Sequence, residues 1–127
     1  MSDTCPTVHL SMKRGDSLEF SFASYRTVNG VTSPFPLTGA SIVMTAKYKI
    51  SDADPGVFQI TTTGGAIVIR ATPGETHIAD VVVPPTATDS MTAAAVLEYD
   101  IQVTWSPTLK KTLQDGTLTV DLDVSRV

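Results

Sequence analysis

The sequence holds one cysteine, two histidines and one tryptophan in 127 residues, and each scarcity removes a class of explanation. Cys5 alone cannot close an internal disulfide, so the fold does not depend on an oxidising compartment and secretion is not indicated. His9 and His77 lack a second histidine or cysteine at ligand spacing, which argues against zinc. Nine basic residues against thirteen acidic ones leave a net charge of −4. The basic residues are scattered, whereas phosphate binding needs a basic stripe, so no nucleic acid is expected as a partner. No apolar run approaches the ~18 to 20 residues that cross a bilayer, and no basic segment followed by an apolar stretch opens the chain. Neither a membrane span nor a leader is expected, and synthesis in a cytoplasm is. No glycine-rich loop leads into a helix, and no serine sits in a nucleophile elbow. Without a nucleophile and its base, the chain does not read as an enzyme, and no cofactor is implied.

What is present is alternation. From Leu97 to Trp105 every odd position is large and apolar and every even position is polar, the pattern of a half-buried strand. Leu118, Val120, Leu122 and Val124 alternate with Thr117, Thr119, Asp121 and Asp123, and Leu18, Phe20 and Phe22 with Ser17, Glu19 and Ser21. The chain length suits one domain. Residues 1–6 read as an N-terminal arm and 7–127 as a single β domain.

The turns fall between these runs. Arg14-Gly15-Asp16 separates extended segments at 7–13 and 16–25, as a hairpin or a bend between sheets. Thr27 to Pro36 reads as a loop of roughly ten residues, with an Asn29-Gly30 turn signal and two prolines that cannot donate to a ladder. Ile42, Met44, Ala46, Tyr48 and Ile50 form the inward set of the next strand, with Lys47 and Lys49 outward. Asp54-Pro55-Gly56 turns the chain, Gly64-Gly65 makes a hairpin and Thr72 to Glu75 another turn. Residues 86–95 alone have helical character, one turn capped by Asp89 or Ser90. Ser106 to Thr108 and Asp115-Gly116 complete the turns. Seven to nine short strands with turns about every ten residues predict an all-β sandwich.

Few residues stand out as functional. Arg14-Gly15-Asp16 matches an adhesion tripeptide but reads as a tight turn, and Asp52 and Asp54 read as turn formers rather than calcium ligands. The loop residues Val28, Val31 and Phe35 read as loop anchors rather than ligand contacts, and as candidate contacts for assembly. Glu98, Asp100, Asp121 and Asp123 point outward from two strands, and if those strands pair, four carboxylates share a surface. Like charges directly opposite each other destabilise a ladder, so an offset is needed. A mixed-charge outer face with Lys47, Lys49, Lys110 and Lys111 is expected, read first as a solvated face and second as an assembly contact. Trp105, Tyr99, Phe20 and Phe22 fall on predicted core faces, leaving Tyr25 and Phe35 as available aromatics.

Residues 14–22 (Arg-Gly-Asp-Ser-Leu-Glu-Phe-Ser-Phe) and 36–44 (Pro-Leu-Thr-Gly-Ala-Ser-Ile-Val-Met) resemble small immunoglobulin-like β-sandwich domains of tailed-bacteriophage virions. The Asp54-Pro55-Gly56 turn, the Gly64-Gly65 hairpin, the helical turn from Pro85 to Met91, and the strands 99–103 and 116–120 are similar in order and spacing. The resemblance covers about residues 8–126. It implies an antiparallel immunoglobulin-like sandwich with one short helical turn, and a non-enzymatic virion protein made in the bacterial cytoplasm. The chain resembles the N-terminal part of baseplate upper proteins without their C-terminal extension. The implied role is therefore a decoration, cement or attachment component of the head or tail, with a carbohydrate- or receptor-binding module of a tail or baseplate as the alternative. Implied partners are other virion proteins (major capsid, portal or connector, tail or baseplate) and further copies of itself.

Overall fold

The computed structural model describes residues 6–54 and 56–122. Ten strands are present among them: β1 (Leu10–Lys13), β2 (Leu18–Ala23), β3 (Tyr25–Val28), β4 (Val31–Pro34), β5 (Ser41–Lys47), β6 (Phe58–Thr61), β7 (Ile67–Ile69), β8 (Ile78–Val83), β9 (Ala95–Ser106) and β10 (Leu109–Asp121). A five-stranded sheet has the order β1-β10-β9-β5-β6, a three-stranded sheet the order β2-β8-β7, and β3-β4 is a separate hairpin. This is the all-β sandwich that the alternation predicts, with the immunoglobulin-like arrangement that the resemblance implies. Its one short helical turn is a 3-10 turn at Pro85–Ala87. Pairing is antiparallel except for β1, which lies parallel to β10.

The odd residues of β9 face the other sheet: Leu97, Ile101 and Val103 are fully buried and Tyr99 nearly so. Ile42 and Met44 of β5 and Leu118 and Val120 of β10 join them, and Ile67, Val81 and Val83 close the core from the second sheet. Each such side chain contributes about 1.5–3 kcal/mol by leaving water. Phe20 and Trp105 are half-buried at the margin of this core, and Phe22 is buried.

Several local expectations change. Segment 27–36 is not a featureless loop: β3 and β4 pair from Tyr25↔Pro34 to Val28↔Val31. Asn29 (φ 51°) and Gly30 (φ 79°) take the left-handed conformations of a two-residue hairpin turn. This hairpin raises the strand count above nine. Arg14-Gly15-Asp16 is a bend between sheets, since β1 and β2 belong to different ones. The Gly64-Gly65 turn likewise joins β6 to β7 across the two sheets rather than within one. The 3-10 turn follows Pro84 and has no side-chain cap, so neither Asp89 nor Ser90 starts it. Tyr48 and Ile50 are 52% and 78% exposed, because β5 ends at Lys47 and the inward alternation ends with it.

The largest correction concerns Asp115-Gly116, which is no turn. β10 pairs with β9 on both sides of it, Asp115 with Asp100 and Gly116 with Tyr99. Register slips by one residue between Thr112 and Gln114, so Thr112 pairs with Gln102 while Gln114 pairs with Ile101 and points inward. A bulge absorbs the extra residue. Gly116 is needed because its φ is 147° and a Cβ there would collide with the Val8 carbonyl oxygen.

Candidate interaction surface

The outward positions of the five-stranded sheet form rows across it. His9, Thr117, Glu98 and Lys47 make one, with the His9 Nδ1 2.8 Å from Thr117 Oγ1. Thr7, Asp115, Asp100, Thr45 and Gln59 make the next. The Thr7 hydroxyl donates to Asp115 Oδ1 (2.9 Å) and the Gln59 amide to Thr45 Oγ1 (3.0 Å). Thr7 and His9 form one rim, the β5-β6 connection with Ile50 and Asp54 the other, and between them lies an open trough of about 720 Å³.

The first rim is held from below. The Val8 amide donates to the Asp115 carbonyl (2.7 Å) and the Asp115 amide to the Pro6 carbonyl (3.1 Å). The Tyr99 hydroxyl donates to the Val8 carbonyl (2.7 Å) and accepts from the buried Gln114 amide (3.0 Å). On the opposite rim Lys47 Nζ pairs with Asp54 Oδ1 at 2.8 Å.

On the trough floor, Asp100 directly faces Asp115. Burial pushes the Asp100 carboxyl above its ordinary range; Lys47 opposes that shift, and Asp115 and Asp54 add to it. Among the described residues no donor reaches its carboxylate. A half-buried acid opposite a second acid prefers a cation nearby or a proton.

The β3-β4 hairpin is the second unusual surface. Seven of its eight strand residues are exposed, Val28 at 54%, Val31 at 66% and Tyr25 at 49%. Its base is clamped: Phe35 meets Trp105 edge-to-face at 5.1 Å, Tyr25 meets His77 at 5.4 Å, and the Trp105 indole donates to the Pro36 carbonyl (2.9 Å). The Arg26 guanidinium lies 5.1 Å from the centroid of the Phe35 ring, a cation–π contact. Thr27 and Thr32 share a cross-strand hydrogen bond of 2.8 Å.

Of the sequence candidates, Val28 and Val31 sit together at the hairpin tip, while Phe35 is half-buried at its base against Trp105. Glu98 and Asp100 lie in the trough. Asp121 does not join them: it pairs with Lys13 and stands four residues beyond Thr117, about 13 Å along the strand. Asp123 lies outside the described residues, as does Cys5. The carboxylate that does meet Asp100 is Asp115, which the sequence assigns to a turn; the parity slip between Thr112 and Gln114 is the signal that could have found it. Asp52 acts as a turn former, accepting from the Lys49 amide (3.0 Å). Arg14 donates to the Met91 carbonyl (2.9 Å) and the Gly15 amide to Thr88 Oγ1 (3.1 Å), so this tripeptide anchors the β8-β9 connection.

No protein-family model and no curated protein matches the chain. Among solved structures it is similar to AggA, the major subunit of aggregative adherence fimbriae type I from Escherichia coli. The identity is 14% and the TM-score 0.32, over 94% of this chain and 97% of that one. The matched protein is a fimbrial subunit and not a phage component. The expectation of a tailed-phage decoration, cement or attachment protein is therefore corrected and set aside, as is its tail or baseplate receptor-binding alternative. At this TM-score the likeness assigns no function in their place.

Proposed function

We propose that this chain is a non-enzymatic structural domain that works by protein–protein contact, including contact with further copies of itself, through the β3-β4 hairpin. The observation that carries this reading is a hairpin clamped at its base while its paired tip residues, Val28 and Val31, remain more than half exposed. An isolated two-stranded hairpin is marginal in water. Apolar side chains grouped on a projecting element mark a contact site more often than scattered ones do.

Sedimentation velocity over a dilution series tests it. Wild-type protein is expected to associate as concentration rises, and the double variant Val28→Ser/Val31→Ser to remain monomeric with an unchanged circular dichroism spectrum. A wild-type chain that stays monomeric throughout, or a double variant that associates like wild type, would overturn the reading.

A further inference from the structure

The hairpin and the trough carry complementary features on different parts of one molecule. Strand alternation places Arg26 on the same hairpin face as Val28, and Val31 lies directly across from Val28. That face presents two exposed apolar side chains and a guanidinium, which among the described residues pairs with no carboxylate. The trough presents the reverse: Val43 and the highly exposed Ile50 beside Asp100 and Asp115. The lysine that lines the trough, Lys47, is already taken by Asp54.

We propose that the β3-β4 hairpin of one copy docks in the trough of the next, Val28 and Val31 against Val43 and Ile50, and Arg26 against Asp100 and Asp115. This inference rests on the self-association proposed above and adds the receiving surface. A guanidinium between the two carboxylates replaces a like-charge opposition by two charge-assisted hydrogen bonds. The hairpin does not reach the trough of its own chain. Trp105, against which its base packs, lies five residues along β9 from Asp100, about 17 Å, and no hairpin residue lines the trough. Hairpin and socket being different surfaces, the contact is heterologous and repeats head to tail. Salt weakens it, because charge complementarity contributes.

Charge exchange on the full chain tests it by sedimentation velocity. Arg26→Glu alone and Asp100→Lys/Asp115→Lys alone are each expected to weaken association by about tenfold or more. Mixing the two chains is expected to restore it, since the acidic hairpin of one variant then meets the basic trough of the other, while the unaltered hairpin meets the unaltered trough. Asp100→Asn/Asp115→Asn serves as the second variant should the lysines disturb folding; it removes the charge without adding bulk and is expected to weaken association and reduce its salt dependence. Association of wild type that survives all these changes would overturn the trough as socket while leaving hairpin-mediated assembly intact. Failure of the mixture to restore association would also overturn it. Absence of any wild-type association would remove both readings.

Discussion

Asp80 and Asp100 occupy equivalent places, each outward on the central strand of its sheet, yet their surroundings are opposite. Asp80 accepts from Arg70 Nε (3.0 Å) and Nη2 (2.9 Å) and from the Ser21 hydroxyl (2.6 Å). Arg70 also reaches Glu75 (2.8 Å). The hydrogen bonds from Arg70, then that from Ser21, hold Asp80 at a pKa of about 2, and Arg70 is correspondingly raised. Asp100 faces Asp115 with no donor among the described residues, and burial raises it. One sheet completes its charge internally; the other leaves acid on its floor. The three-stranded sheet thus satisfies its central carboxylate with its own arginine and serine, whereas the five-stranded sheet leaves that of Asp100 with unused hydrogen-bonding capacity among the described residues.

The two faces cease to differ most completely if the trough loses its rim. Gly116→Ala puts a methyl against the Val8 carbonyl and is expected to cost about 2–4 kcal/mol in urea denaturation, with hydrogen exchange rising at residues 7–10 and not in β8. Tyr99→Phe acts on the same rim more gently. It removes the donor to Val8 and the acceptor of Gln114, and a loss of about 1–2 kcal/mol is expected by the same measurement.

Smaller changes isolate the two aspartates themselves. Asp100→Asn is expected to stabilise the isolated chain by about 0.5 kcal/mol, a value kept small because solvent screens the pair. Asp80→Asn is expected to destabilise it, because Arg70 loses one of its two carboxylate partners and keeps only Glu75. Equal signs in paired urea titrations would contradict the distinction.

Acidity separates them at the finest level. The folded pKa of Asp80 lies below its ordinary 3.8, so the unfolded chain takes the proton first. Its contribution is complete above about pH 4 and is lost as pH falls towards about 2. The folded pKa of Asp100 lies above the ordinary value, so the folded chain takes the proton first, and acidification through that range relieves its penalty. Carboxyl carbon NMR titration is expected to show Asp100 protonating well before Asp80; the reverse order would refute it.

Much of the sandwich is legible from the sequence. The Leu97 to Trp105 alternation corresponds to β9, and the inward sets Leu18, Phe20, Phe22 and Leu118, Val120 match β2 and β10. The segment 109–121 is not legible as one strand, because the bulge shifts its alternation by one residue and the break lies close to an Asp-Gly pair that favours turns. The same coincidence conceals Asp115. The Asn29-Gly30 turn between Val28 and Val31 is legible, but Pro34 and Pro36 argue against the pairing that sets the two valines together. Pro34 is tolerated because β4 is an edge strand.

Which residues lie on each side of a strand follows from the chain alone, since a two-residue period is a property of the local backbone. Which of the outward residues become neighbours does not: that Asp80 meets Arg70, that Asp100 meets Asp115, and that Ile50 and Thr7 stand on opposite rims are outcomes of the assembled sandwich. Those neighbours come from register, bulge and strand order, which are fixed by contacts between residues far apart in the chain.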